Sequence, residues 1–232
     1  MKRGKRYLTL LKSYDRTAVY SIDSSIETVK KLKSVKFDET VEATYVLNVD
    51  PKQADQNVRG VISLPHGTGK MIRVLVFATG EKAQEAKDAG ADIVGADDLI
   101  QKIEKEGFLD FDVAIATPDM MKSLGRIAKI LGPRKLMPSP KSGTVTMDIR
   151  DTVNEFKAGK IEFRVDKTGV VHTVVGKSSF TNDQLKENLL ALNSAIVKSR
   201  PASVRGQYIK KAYLSLTMSP AVRMNVSELL KA

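Results

Sequence analysis

The sequence contains no cysteine. It therefore offers no disulfide framework, no thiolate zinc site and no thiol nucleophile, and a reducing cytoplasm is the compartment that fits. Tryptophan is absent as well, and aromatic residues make up only 6%. A protein that grips single strands by stacking their bases carries more of them. Only two histidines occur, His66 and His172. They are separated by the whole middle of the chain and have no carboxylate pair at ligand spacing, so neither a metal nor another cofactor is expected. Long apolar runs are missing too, since nothing approaches the roughly 18 residues that a spanning helix needs. The N-terminus begins with basic residues, as a signal peptide does, but only residues 7–11 follow as an apolar run before Lys12, Asp15 and Arg16. A soluble chain with no membrane partner is expected.

What is present is an ordinary globular composition, 42% hydrophobic and 28% charged over 232 residues. That is enough for one large domain or two modest ones. Negative charge is in short supply: 27 Asp and Glu stand against 38 Lys and Arg, for a net +11. An excess of this size points to polyanionic partners and says nothing about fold. Its distribution is uneven. Residues 67–157 hold 14 basic and 14 acidic side chains, while residues 1–66 hold 12 and 8 and residues 158–232 hold 12 and 5. All of the net charge therefore lies on the flanks. The simplest organisation has residues 1–66 and 158–232 forming one basic domain, with residues 67–157 inserted as a second.

The two regions also differ in hydrophobic pattern. In the middle, apolar runs of strand length at residues 71–78, 93–94 and 112–116 alternate with helical stretches at 81–89, 97–106 and 119–131. This predicts a parallel sheet with helices on both faces, a Rossmann-like α/β arrangement. The flanks instead show strict alternation. Val41, Ala43, Tyr45, Leu47 and Val49 point one way, and Glu42, Thr44 and Asn48 the other. Residues 160–167 repeat the design, and the turn Asp166-Lys167-Thr168-Gly169 into residues 170–175 predicts a hairpin. Residues 208–217 place Ala212, Leu214 and Leu216 opposite Lys211, Tyr213, Ser215 and Thr217. Helices over residues 25–35 and 182–198, the latter with Leu185, Leu189, Leu192 and Ile196 at helical spacing, could cover the apolar face. The fold class is thus α/β and α+β in two domains: an open-faced α+β sandwich built from both chain ends, with an inserted Rossmann-like domain. The uncovered sheet face is polar and suits structured RNA, which is recognised through phosphates and ribose hydroxyls. A plain solvated sheet face accounts for the same pattern.

One motif suggests another function. Pro65-His66-Gly67-Thr68-Gly69-Lys70 looks like a phosphate loop and supports, as the alternative, a nucleotide-binding enzyme using the central Rossmann-like domain. A Walker A sequence needs Gly at position 64 and Ser or Thr after the lysine; here Leu64 and Met71 stand there, and a strand is expected to follow in place of a helix. A glycine-rich link between domains is the simpler account. No nucleophile, base and orienting group are grouped in sequence, and no enzyme is expected.

Five segments are longer and more specific: KFDETVE (residues 36–42), VDPKQADQNVRG (49–60), LPHGTGK (64–70), LGPRKLMPSPKSGTV (131–145) and LTMSP (216–220). They resemble, in order, the L-one family of bacterial large-subunit ribosomal proteins, and the resemblance covers nearly the whole chain. It implies a two-domain protein that binds large-subunit ribosomal RNA at the mobile stalk beside the tRNA exit site. It further implies assistance to release of deacylated tRNA, repression of translation through the protein's own mRNA leader, and a monomer off the ribosome. Carried over, the RNA contacts fall on Lys36, Phe37, Thr40 and Glu42, on Asp166, Lys167, Thr168 and His172, and on Ser215, Thr217, Met218 and Ser219. Two positions depart from the family pattern: Ser219 and Lys135 each stand where glycine is common. Because alternation puts Thr217 on the wet face, its hydroxyl is expected to bond RNA, and Thr217→Val to leave folding nearly unchanged.

Overall fold

The computed structural model describes residues 4–230. The outgoing flank forms α1 (Lys5–Lys12), α2 (Ile22–Lys31), β1 (Thr40–Leu47) and β2 (Arg59–Ser63). The middle runs through β3 (Val74–Phe77), α3 (Glu81–Asp88), β4 (Ile93–Gly95), α4 (Asp97–Glu106), β5 (Val113–Ala116), α5 (Met121–Leu124), α6 (Ala128–Leu131) and α7 (Ile149–Ala158). The returning flank adds β6 (Lys160–Arg164), β7 (Val170–Lys177), α8 (Asn182–Lys198), β8 (Ile209–Leu216), β9 (Val222–Met224) and α9 (Val226–Leu229). The chain divides into two compact units, residues 1–69 with 161–232, and residues 70–160. The first holds 23 Lys and Arg against 13 Asp and Glu, the second 15 against 14.

In the first unit an antiparallel sheet of order β7-β1-β8-β9 is covered on one face by α2 and α8. Alternation determines which face. Val41, Ala43, Tyr45 and Leu47 are buried with Ala212, Leu214 and Leu216 from the next strand. The helix α8 spans the expected residues because Thr181 and Gln184 form a capping box at its start. Its Leu185, Leu189, Leu192 and Ile196 are all buried, each contributing about 1.5–3 kcal/mol by leaving water. Helix α2 starts earlier than the pattern suggested, because the Ser21 hydroxyl accepts from Ser24 N–H and caps it there. The short strand β9, with no alternation long enough to read, completes the sheet.

The expected hairpin is present only at its turn. Val165 and Val171 form an antiparallel bridge and Asp166 N–H donates to Val170 O at 2.8 Å, but beyond that point β6 pairs with β2 in a separate two-stranded sheet and β7 pairs with β1. Turn chemistry shapes the chain reversal, but the partners of the flanking strands are decided by core packing at long range.

The second unit is a three-stranded parallel sheet of order β4-β3-β5. Leu75 and Phe77 face one cluster with Leu99, Ile103, Leu124, Ile127 and Leu131, and Val74 and Val76 face another with Ala86, Ile149, Val153 and Phe156. Helices therefore cover both faces, as an all-parallel sheet requires. The helical stretch after β5 is not one helix; short 3-10 turns at Pro118–Met120 and Gly125–Ile127 interrupt it without turning its apolar side away from the core. β3 begins only at Val74, since Met71 is 95% exposed. No helix of the described residues is long and apolar enough to cross a membrane.

Candidate nucleic-acid interface

Strand β1 lies between β7 and β8, so its outward side chains form the middle of the uncovered face. Register then dictates the neighbours. Thr44 sits between His172 and Tyr213, Glu42 between Val174 and Ser215, and Val46 between Val170 and Lys211. Arg223 on β9 extends the first row beyond Tyr213. The Thr44 hydroxyl lies 3.3 Å from His172 Nδ1. Glu42 is exposed and has no ion-pair partner among the described residues. Its carboxylate is thus an acceptor offered to solvent, able to bond a ribose hydroxyl or a base amine.

At the Thr40 end of the face three segments converge. Thr217 N–H donates to Thr40 O and Thr40 N–H donates to Thr217 Oγ1, both at 3.1 Å. Thr217 therefore lies just past β8, and the expectation that its hydroxyl is idle in the fold is corrected: it already holds a backbone donor. Lys177 Nζ donates to Thr40 Oγ1 at 3.0 Å. Met218 N–H donates to Glu39 Oε2 at 2.9 Å, while Ser178 N–H donates to Glu39 O at 2.8 Å. The Ser219 hydroxyl accepts from Leu216 N–H at 2.9 Å and donates to Pro220 O at 3.1 Å, closing the turn. Ser219 has no positive φ, so glycine's conformational freedom is not needed there. Lys36 is exposed, and Phe37 and Met218 are 52% and 42% exposed. A cation and two apolar surfaces thus sit beside hydroxyls and backbone held in fixed positions.

Asp166, Lys167 and Thr168 lie at the other end of β1, where Leu47 N–H donates to Gly169 O. Six residues of strand separate the two ends, roughly 20 Å. Asp166 Oδ1 accepts from Thr168 N–H at 2.8 Å, Thr168 Oγ1 at 2.7 Å and Val170 N–H at 2.9 Å. The Thr168 hydroxyl bond, followed by the Val170 amide bond, holds its pKa below the usual aspartate value. Gly169 has φ +79° and a Cβ there would come within 3.3 Å of Val49 O, so this turn does require glycine. Asp166 and Gly169 shape the turn, which leaves Lys167 and Thr168 exposed at its tip.

Sequence reasoning missed several residues of this face. Glu39 gave no signal, because an acidic residue is rarely buried, yet it is 0% exposed and its Oε1 has no partner. Lys177 and Arg223 were invisible because their place follows from strand pairing. Asp38, adjacent to Glu39, accepts from Ser178 Oγ at 2.7 Å and Ser179 Oγ at 2.8 Å, and the Ser178 bond holds its carboxyl below the ordinary value. This clamp ties the segment before β1 to the one after β7.

A face of hydroxyls, single charges and fixed backbone, flanked by lysines, has the chemistry to take phosphates and ribose hydroxyls. The model of the ribosomal protein L1p/L10e family matches residues 29–220, which takes in nearly all of these positions. Over that span the chain belongs to the ribosomal protein L1p/L10e family, whose members are structural proteins of the ribosome that bind its RNA.

Proposed function

We propose that the uncovered face of the first unit is the surface that binds large-subunit ribosomal RNA, through Lys36, Phe37, Thr40, Glu42, Asp166, Lys167, Thr168, His172, Ser215, Thr217, Met218 and Ser219. The carrying observation is the convergence at the Thr40 end, where Thr217 and Met218 are locked to Thr40 and Glu39 while Phe37 and Met218 stay open to solvent. Preorganised groups of this kind recognise RNA shape without an ordering cost on binding. The basic domain then corresponds to the two flanks, and the bound RNA is that of the mobile stalk beside the tRNA exit site, where the protein assists release of deacylated tRNA. A surface that reads shape also accepts any other RNA folded alike, which supports repression through the protein's own mRNA leader. The free protein acts as a monomer. The nucleotide-enzyme alternative loses its structural basis at residues 67–70, since a strand and no helix follows them.

The test is competition binding. Deproteinised large-subunit ribosomal RNA and the protein's own leader RNA are expected to compete for the full chain, with random-sequence duplex RNA weaker by at least about a hundredfold; equal affinity for all three overturns the reading. Micromolar binding of ATP, GTP or NAD in equilibrium dialysis would revive the enzyme.

A further inference from the structure

The near neutrality of the second unit conceals a separation of charge. Between residues 120 and 147 lie six Lys and Arg and no acidic residue, whereas the rest of the unit holds nine against 14 acidic. The cations are ordered by the helical stretch after β5. Met120, Leu124, Ile127 and Leu131 are buried in the core. Lys122, Arg126 and Lys129, spaced by four and three residues, occupy the opposite side and are all exposed. At about 1.5 Å per residue they form a stripe roughly 10 Å long. Arg134 and Lys135 continue it in the turn that follows, which is fixed by Lys135 N–H bonding to Gly132 O, Leu136 N–H bonding to Leu131 O, and Leu136 and Met137 packing on the core.

Helix surfaces in the same unit show what a merely solvated face looks like. In α3 acidic and basic residues are mixed and Lys82 pairs with Glu85 at 2.7 Å, and α4 mixes Lys102 and Lys105 with Glu104 and Glu106. None of the five cations of the stripe has an ion pair or a side-chain hydrogen bond among the described residues. Solvent and salt screen exposed like charges in part, and a bound polyanion relieves the remaining repulsion.

We propose that Lys122, Arg126 and Lys129, continued by Arg134 and Lys135, form a second RNA-binding surface that holds phosphate backbone without reading sequence. The inference rests on the chain being an RNA binder and adds to it a site on the other unit. No aromatic group accompanies the cations on the helical stripe, and beside them stand one carboxylate, the exposed Asp119 a turn before Lys122, and the half-buried Ser123, so the stripe carries mainly positive charge; base discrimination stays with the first unit.

The experiment combines Lys122→Gln, Arg126→Gln and Lys129→Gln in the full chain and measures affinity against salt for deproteinised large-subunit ribosomal RNA and for random-sequence duplex RNA. With about 0.7–0.9 of slope per neutralised phosphate, the log–log slope should become shallower by about two to three on both RNAs. The preference for one RNA over the other should stay as in the wild type, as should the melting temperature. Should the triple variant melt early, Arg134→Gln with Lys135→Gly lies outside the helical run and is expected to reduce the slope by about one to two. Wild-type slopes in both variants overturn the proposal and leave the stripe to an acidic protein partner. A wild-type chain that shows no preference for ribosomal RNA overturns instead the reading on which the proposal rests.

Discussion

The two units put charge to different uses. The first carries an excess of ten positive charges, yet at the Thr40 end of its open face only Lys36 and Lys177 stand among the neutral Thr40, Thr217, Met218 and Phe37 and the buried Glu39 beneath them. The second is neutral to within one charge but sorts its cations into a stripe. Net charge is a sum and reports neither where charge is concentrated nor which groups discriminate. Selectivity comes from donors and acceptors in fixed positions and salt-dependent affinity from unpaired cations; the two proposed sites assign the first property to the open face of the first unit and add to the second through the stripe.

The sharpest way to break that comparison is Thr217→Val. It removes a hydroxyl and no charge, so RNA affinity should fall by roughly ten- to a hundredfold, the range set by leaving a partner unpaired at about 1–3 kcal/mol. The salt slope should stay at its wild-type value. Because Thr40 N–H loses its acceptor, stability should also fall, by about 1 kcal/mol, and Thr217→Ser should restore both. Binding titrations at two salt concentrations together with thermal melts read all three quantities; a changed slope would place the discriminating groups among the charges after all.

Glu39 extends the contrast beneath the surface. Glu39→Ala deprives Met218 N–H of its acceptor and opens a void under the turn, which should cost about 1–3 kcal/mol of stability and loosen RNA binding about tenfold. Glu39→Gln keeps an oxygen for Met218 and should cost less on both counts. Full RNA affinity in a folded Glu39→Ala protein would show that the turn does not depend on this carboxylate.

Acid should act on the first unit through Asp38 and Asp166, whose carboxyls both sit below the ordinary value of 3.8. For such groups the stabilising contribution is whole above that value and is lost as the pH falls through the lower folded-state value. Stability should therefore decline below about pH 4, and Asp166→Asn should flatten the decline in acid melts.

The smallest effect sharpens the other side. Lys135 is the only residue other than glycine with positive φ among those described, at 60°. Lys135→Gly relieves that strain at the expense of a more flexible unfolded chain, for a net gain of roughly 0.5–1 kcal/mol, while taking less than one unit from the salt slope. Gain in melting temperature with loss of salt dependence in one variant would separate folding from charge within the stripe. A drop in melting temperature would mean that the lysine stem packs against the turn.

Sequence alone determined what depends on neighbours along the chain. Period-two alternation marked the buried and open sides of β1 and β8, helical spacing with a capping box set the bounds of α8, and counting charge by segment separated the flanks from the middle. The motifs carried the family and the candidate contacts. Only the tertiary structure decided which strands pair, and with that the separation of β6 from β7, the place of Lys177 and Arg223 on the open face, and the meeting of Glu39, Thr40, Thr217 and Met218 at one end of it. It also showed that the Thr217 hydroxyl holds the Thr40 N–H, and that Lys122, Arg126 and Lys129 stand unpaired. The physical reason is one of range: hydrophobic period and capping act over a few residues, whereas strand order, ion pairing and the burial of a carboxylate depend on segments more than a hundred residues apart being packed around one core.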